Sequence, residues 1–280
     1  MNTLILLLLL GCQGAPVAQP EPTTDPPMVP PSCAPAVAAD SVDATLDGME
    51  VVGGTMKDFT ASATMEKFEA ITGEREIRRG RVVVVGPSGA DRQIAIAFDE
   101  FIDGTGRGST DTRRFICAAG WMTEFDIERK QAIRRQVARA GEAFDPLRIG
   151  AGPFPVPLGQ PKADVLREFT VSCAPIPDAP FFRSLQASAP GASSAEGPRV
   201  ALRLVPRAGT AMARDTAAIV MVLDRSSFAP QAVEVEAVNG DRTRVLLRNG
   251  KLNGGLDEAA RALLTPPATE GWKVDVRPME

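Results

Sequence analysis

Two residue types are missing from this 280-residue chain altogether: histidine and tyrosine. Without histidine no Ser-His-Asp or Cys-His arrangement can form, and the commonest general base is gone. Without tyrosine there is no phenol-dependent chemistry. The cysteines form no Cys-x-x-Cys pair, which with the missing imidazole argues against zinc, and no cofactor-binding signature is present. Long apolar runs are also lacking. Leu4 to Leu10 has seven residues, far below the ~20 needed to span a bilayer. A net charge of −4 gives no general attraction to nucleic acid. What remains is a chain with 44% hydrophobic residues, enough for the core of one sizeable or two small domains.

The last third, Arg199 to Arg277, organises the rest. Val200, Leu202 and Leu204 alternate, as do Ile219, Met221 and Leu223; Val233 and Val235, then Val245 and Leu247, then Trp272, Val274 and Val276 follow. Period-two apolar runs separated by Gly, Pro, Asn and Asp predict an antiparallel meander, with one short helix near its end. At the Asn239-Gly240 hairpin, a three-residue loop over Asn239, Gly240 and Asp241 pairs Val235 with Val245, Val233 with Leu247 and Glu236 with Arg244. That register keeps one face apolar and the other charge-matched, so it is preferred to a two-residue loop. Ile219 to Leu223 is apolar on both faces, and the second face must meet a core, a lid or a ligand.

Upstream, Ser41 to Lys57 predicts a helix, with Val42, Leu46, Met49, Val52 or Gly53, and Met56 on one side and a possible kink at Gly53-Gly54. Phe59 to Ile71 alternates as a strand. Arg75, Arg78, Arg79 and Arg81 follow, as a solvated edge-strand face or as an anionic-ligand patch. Val82 to Val85 and Ile94 to Ile102 are strands joined by Gly86-Pro87-Ser88-Gly89, read as a turn because it lacks the Gly-Lys-Ser/Thr ending of a phosphate loop. Gly104 to Gly108 is read as a turn as well. Phe115 to Ala119 and Trp121 to Ile127 make a hairpin, then Gln131 to Val137. Sequential antiparallel neighbours without crossover helices disfavour a parallel sheet. Asp145 to Leu158 carries four prolines and reads as a lid, a short helix lies near Lys162 to Glu168, and Phe169 to Cys173 returns to strand. Ala174 to Pro198 is Pro/Ala/Ser-rich and is expected to be a mobile insertion.

The amino terminus ends its apolar run in Leu9-Leu10-Gly11-Cys12, which resembles the lipobox of bacterial lipoprotein signal peptides, although no Lys or Arg precedes it. The resemblance implies cleavage of residues 1–11 and lipidation of Cys12, with Gln13 sending the protein past the inner membrane. Residues 12–39, rich in Pro and Ala, read as a tether, and residues 40–280 as the globular domain.

That domain resembles the outer-membrane lipoprotein carrier family of LolA and LolB. The residues that carry the resemblance are Arg199 to Arg207, Ile219 to Asp224, Pro230 to Val235, the Gly240-Asp241-Arg242-Thr243 turn and Pro266 to Val276. Ala119-Gly120-Trp121, the Lys130-Gln131 turn and Gly152 to Gly159 add to them. The resemblance implies a mainly β fold: a curved, half-open antiparallel barrel covered by helices and a Pro-rich lid, with a cavity for acyl chains. It also makes Arg92 the lid-contact candidate, at a longer spacing from Pro87 than the family pattern.

The candidate acyl-cavity residues are Ile94, Ile96 and Phe98, Trp121 and Phe125 on one shared strand face, and Ile219, Met221 and Leu223. Each set reads equally as sheet core. Asp99-Glu100 fails as a catalytic dyad, because adjacent strand residues point to opposite faces. Cys117 and Cys173, both on predicted strands of an exported protein, form a disulfide or are two small core residues. The expected function is non-enzymatic: an envelope lipoprotein that binds acyl chains of lipids or lipoproteins, in lipoprotein sorting to the outer membrane and with other sorting components as partners. The alternative is a structural or sensory envelope lipoprotein whose barrel contacts a protein partner.

Overall fold

The structure is a computed structural model and describes residues 41–139, 142, 144–149, 158–186 and 198–279. The residues read as signal and tether, with Cys12 and Cys33, and most of the Pro-rich segment lie outside these residues.

A helix, α1 (Val42–Thr55), opens the described chain; Ser41 is its N-cap and accepts from the Ala44 amide at 3.0 Å. The strands are β1 (Asp58–Phe68), β2 (Arg75–Val85), β3 (Gln93–Ile102), β4 (Gly108–Thr110), β5 (Arg113–Ala118), β6 (Trp121–Asp126) and β7 (Gln131–Gln136). After α2 (Lys162–Glu168) come β8 (Phe169–Cys173), α3 (Arg183–Gln186), β9 (Arg199–Pro206), β10 (Thr216–Asp224), β11 (Pro230–Ala237) and β12 (Arg242–Leu252). Then α4 (Glu258–Leu264) leads to β13 (Lys273–Arg277). All thirteen strands join one curved, unclosed sheet in the order β13-β7-β6-β5-β3-β2-β1-β12-β11-β10-β9-β8, with β4 beside β3. The β1–β12 pair joins the two halves of the chain at the centre.

Three expectations change. The carboxy-terminal strand does not continue the meander: α4 carries the chain away from β12, and β13 pairs with β7 at the far edge, in parallel, with Val274 and Val276 exposed. The arginines of β2 are on an inner strand rather than an edge, flanked by β1 and β3. Each finds a carboxylate: Arg75 with Glu66 (3.1 Å), Arg78 with Asp111 (3.2 Å), Arg79 with Glu100 (2.7 Å) and Arg81 with Asp257 (3.4 Å). The hairpin loop has three residues as expected but sits one residue earlier. The Ala237 amide donates to Asp241, and Gly240 takes the left-handed conformation (φ +88°) that a side chain would resist. Val233 therefore faces Val245, and the charge pairs are Glu234–Arg244 and Glu236–Arg242. A shift of two residues per pair preserves the faces, which is why the alternation was right although the register was not.

Both faces of the sheet are buried over much of its area. On the inner face, Leu46, Met49, Met56, Leu147, Leu158 and Val165 pack onto the strands. On the outer face, Phe182 and Leu185 cover Ala201, Val222, Ala232 and Leu246. Leu263, Leu264 and Trp272 cover Ala95, Ile116, Phe125 and Ala132. Residues 174–186, expected to be mobile, are thus partly a lid over the outer face, because Val222 and Leu246 leave apolar surface there that must be covered. The remainder of that insertion, 187–197, lies outside the described residues.

Between the two outer clusters lies a buried ion network. Arg244 donates to Glu66 and to Glu234, both at 2.6 Å, and Arg75 reaches the second oxygen of Glu66. Burial pulls the Arg244 guanidinium down, but Glu234 and Glu66 outweigh it and hold it above its ordinary value. Removing one partner of a buried pair strands the other charge. Arg244→Ala should cost ~3–5 kcal/mol in urea unfolding, whereas Arg79→Ala, in an exposed pair, should cost ~0.5 kcal/mol or less.

Candidate functional site

The inner face is built by rows of apolar cross-strand pairs. Phe59 faces Val84 and Val84 faces Ile94, which faces Cys117. Ala63 faces Leu247, Met65 faces Val245, and Val245 faces Val233. Val233 faces Met221, and Met221 faces Leu202. The alternation of each strand therefore delivers one apolar surface from β8 through the sheet centre to β5. Of the candidates, Ile94, Ile96 and Phe98 lie under Met56, Leu147 and Leu158. Ile219, Met221 and Leu223 lie beside them under Leu46, Met49 and Val165. A void of about 10 Å³ remains among Met65, Val82, Ile96, Phe98, Val245 and Leu247, room for about one water.

Trp121 and Phe125 do not join this surface. They share a face, as expected, but it is the outer one. Phe125 meets the Trp272 ring edge-on at 6.4 Å, and the Arg134 guanidinium lies 4.3 Å over Trp121. They line an outer groove of about 430 Å³ with Pro266, Pro267 and Val274. The reason is parity: in β6, Met122 packs against the inner cluster, so its odd-numbered neighbours point outward.

The cover over Ile94 and Ile96 is fastened by a polar clasp. Arg92, with a fully buried side chain, donates to the Leu158 carbonyl at 2.7 Å, to Asp145 Oδ1 at 3.3 Å and to the Ser88 hydroxyl at 2.8 Å, and its ion pair with Asp145 Oδ2 is 3.0 Å. It thus holds both ends of the segment 145–158. Asp145 also accepts from the amides of Gly89 (3.0 Å) and Leu147 (2.9 Å), and Gln160 donates to the Leu147 carbonyl at 2.8 Å. The Ser88 hydroxyl donates to the Gly159 carbonyl, and the Ser88 amide donates to Gly53 at 2.9 Å. Burial lowers the pKa of Arg92, opposed by Asp145, and its Nε has no partner among the described residues. Gly53 is needed for contact rather than for a kink: a Cβ there would overlap the Gly159 carbonyl. Ser88, Gly89, Asp145 and Gln160 carry no apolar periodicity, and the loop around Ser88 reads from sequence only as a turn.

Cys117 and Cys173 do not bond to each other. Cys117 is a free, buried thiol in the inner cluster, and Cys173, on the edge strand β8, is disulfide-bonded elsewhere. Burial, helped by the negative charge of Asp145, pushes the Cys117 thiol up to about 12. The thiol is inert packing, with no nucleophilic character near neutral pH.

No family model matches the sequence, and no curated protein matches it. Among solved structures, an uncharacterized conserved protein from Thermus thermophilus is similar at 12% identity and a TM-score of 0.44, over 84% of this chain and 98% of that one. A LolA superfamily protein from Nitrosomonas europaea is similar at 10% identity and a TM-score of 0.31, over 80% and 97%. The MucA/MucB complex of Pseudomonas aeruginosa is similar at 12% identity and a TM-score of 0.38, over 80% of this chain and 60% of that one. The fold described above rests on the strand order and register of the chain itself.

Two outcomes follow from the clasp. Arg92→Met leaves Asp145 without its cation and should destabilise the fold by ~3 kcal/mol or more in chemical unfolding. The raised Cys117 pKa sets an alkaline limit. An unfolded thiol ionises near 9.0 and the folded one near 12, so stability is complete below the first value and falls as pH rises between the two. In Cys117→Ala, unfolding free energy measured across that window should decline less steeply than in the wild type.

Proposed function

We propose that this chain is a non-enzymatic protein of the bacterial envelope that binds acyl chains of lipids or lipoproteins on the inner face of its sheet, within lipoprotein sorting to the outer membrane. The observation that carries this reading is the form of the cover. The inner face is apolar without interruption from β8 to β5, and Leu147 and Leu158 pack on it beside Ile94 and Ile96, held in place by one buried arginine that binds Asp145 and the Leu158 carbonyl. An acyl chain needs only such a surface: each buried methylene contributes ~0.8 kcal/mol, with no directional chemistry. Uptake then requires Leu147 and Leu158 to part from Ile94 and Ile96. Anchoring through a lipidated Cys12 fits this role.

The filled inner face favours a second reading, in which the barrel serves as a structural or sensory module and contacts a protein partner instead. A fluorescent fatty-acyl probe added to the full mature chain separates the two. Under the acyl reading, uptake saturates, Ser88→Ala speeds it by loosening the clasp, and Met65→Glu abolishes it while circular dichroism stays native. A desolvated carboxylate at the half-buried Met65 costs several kcal/mol. If neither the wild type nor Ser88→Ala takes up probe, and native mass spectrometry finds no bound acyl chain, the inner face is core and the second reading stands.

A further inference from the structure

The outer face carries a second cavity, about 470 Å³, whose chemistry is unlike that of the inner face. Thr60 and Ser62 line it from β1, Arg81 from β2, Asn249 and Lys251 from β12, and Asp257 and Arg261 from the start of α4. Three cations thus converge on one carboxylate. Asp257 is held ionised, chiefly by the Ala260 amide, which donates to it at 2.7 Å, and then by Arg81. It binds Arg81 at 3.4 Å, the longest of the five ion pairs that β2 makes among the described residues. Lys251 and Arg261 make no ion pair among the described residues. Three cations beside one carboxylate leave a surplus of positive charge, which costs repulsion.

The site is preformed. β1 and β12 lose register here, so that Asn249 and Gly250 stand opposite the single residue Ala61, and such a bulge re-aims the side chains around it. The loop that closes the cavity is tied to the start of β1. The Lys57 amide donates to Asn253 at 2.6 Å, the Asn253 amide to the Asp58 carbonyl at 2.8 Å, and the Gly255 amide to the Asp58 carboxylate at 3.0 Å. Glycine at 254 and 255 leaves backbone, rather than side chain, along that rim.

We propose that this cavity binds a phosphate group, carried on a lipid headgroup or free in solution. Lys251 and Arg261 supply charge without first breaking an internal bond, and Arg81 can turn from Asp257 toward the anion. The hydroxyls of Thr60 and Ser62 and the Asn249 amide add neutral donors. Together they match an oxyanion with several acceptor oxygens better than a single carboxylate. The proposal is independent of acyl binding, since its charged residues are on the opposite face from the clasp.

The test uses ligands without acyl chains. The full chain is titrated by calorimetry with inorganic phosphate and with glycerophosphoglycerol, a deacylated phosphodiester headgroup, against sodium chloride at matched ionic strength. Saturable binding of at least one phosphate compound is expected, with none for chloride. The double variant Lys251→Ala/Arg261→Ala, both at exposed positions, should weaken it about tenfold or more, and Lys251→Arg should retain it. Tighter binding of glycerophosphoglycerol assigns the site to a lipid headgroup, and tighter inorganic phosphate assigns it to the free ion. Absence of saturation by both, or equal binding by the double variant, overturns the proposal.

Discussion

A sheet that is apolar on both faces must be covered twice, and most of this structure follows from that requirement. β10 shows it most plainly: Ile219, Met221 and Leu223 are buried on the inner side, and Val220 and Val222 on the outer. The chain has few helices to spend on the task, and among the described residues no helix exceeds the fourteen residues of α1. The covers are therefore short and irregular. The helices α1 and α2, with Leu147 and Leu158, cover the inside, while Phe182, Leu185 and the α4–Trp272 region cover the outside. Pieces this small bury too little surface to hold themselves, so polar anchors do part of the fastening. Arg92 plays that part inside. Outside, Arg114 of β5 donates to the carbonyls of Leu263 (3.0 Å) and Thr265 (2.8 Å), where it satisfies the free end of α4.

The outer face is left with a polar middle, because its two apolar covers do not meet. There the strands present charge, and the charge is sorted by depth. The Glu66–Arg244–Glu234 chain is buried and fully paired. The Arg81, Lys251 and Arg261 group is exposed, with one carboxylate among three cations. Paired charge in the first group fixes register between β1, β12 and β11, and surplus charge in the second is available to a ligand.

Where period and local chemistry decide the outcome, the sequence was readable. The helix at 42–55, the short helix at 162–168, the strands through β12 apart from β4 and the first half of β2, and the alternation of inner and outer residues all follow from spacing. Spacing also puts Ile94, Ile96 and Phe98 on one face of their strand and Ile219, Met221 and Leu223 on one face of theirs. The errors lie where distant pieces meet. Trp121 and Phe125 were placed on the wrong face because alternation gives two faces but does not say which is inside. β13 pairs in parallel across more than a hundred residues of chain, with no local trace of it. The four arginines of β2 looked like an edge because their carboxylates come from other strands and from α4. The clasp was legible only as Arg92; its partners Asp145, Ser88 and the Leu158 carbonyl are ordinary loop residues until the fold brings them together.

The contact between Gly53 and Gly159 has a consequence for how the inner face can open. Backbone lies directly on backbone there, with no side chain between them, and the Ser88 amide bonds to the helix carbonyl at the same point. The Ser88 hydroxyl also sits at this junction, but turning it aside leaves the backbone contact in place. A side chain acting as a gate flips within nanoseconds and leaves the fold in place, whereas here α1 and the end of the cover must separate as two rigid bodies. Under the acyl reading, access to the inner face is therefore a concerted event of the kind that takes microseconds or longer, and its rate belongs to the helix as much as to the segment it touches.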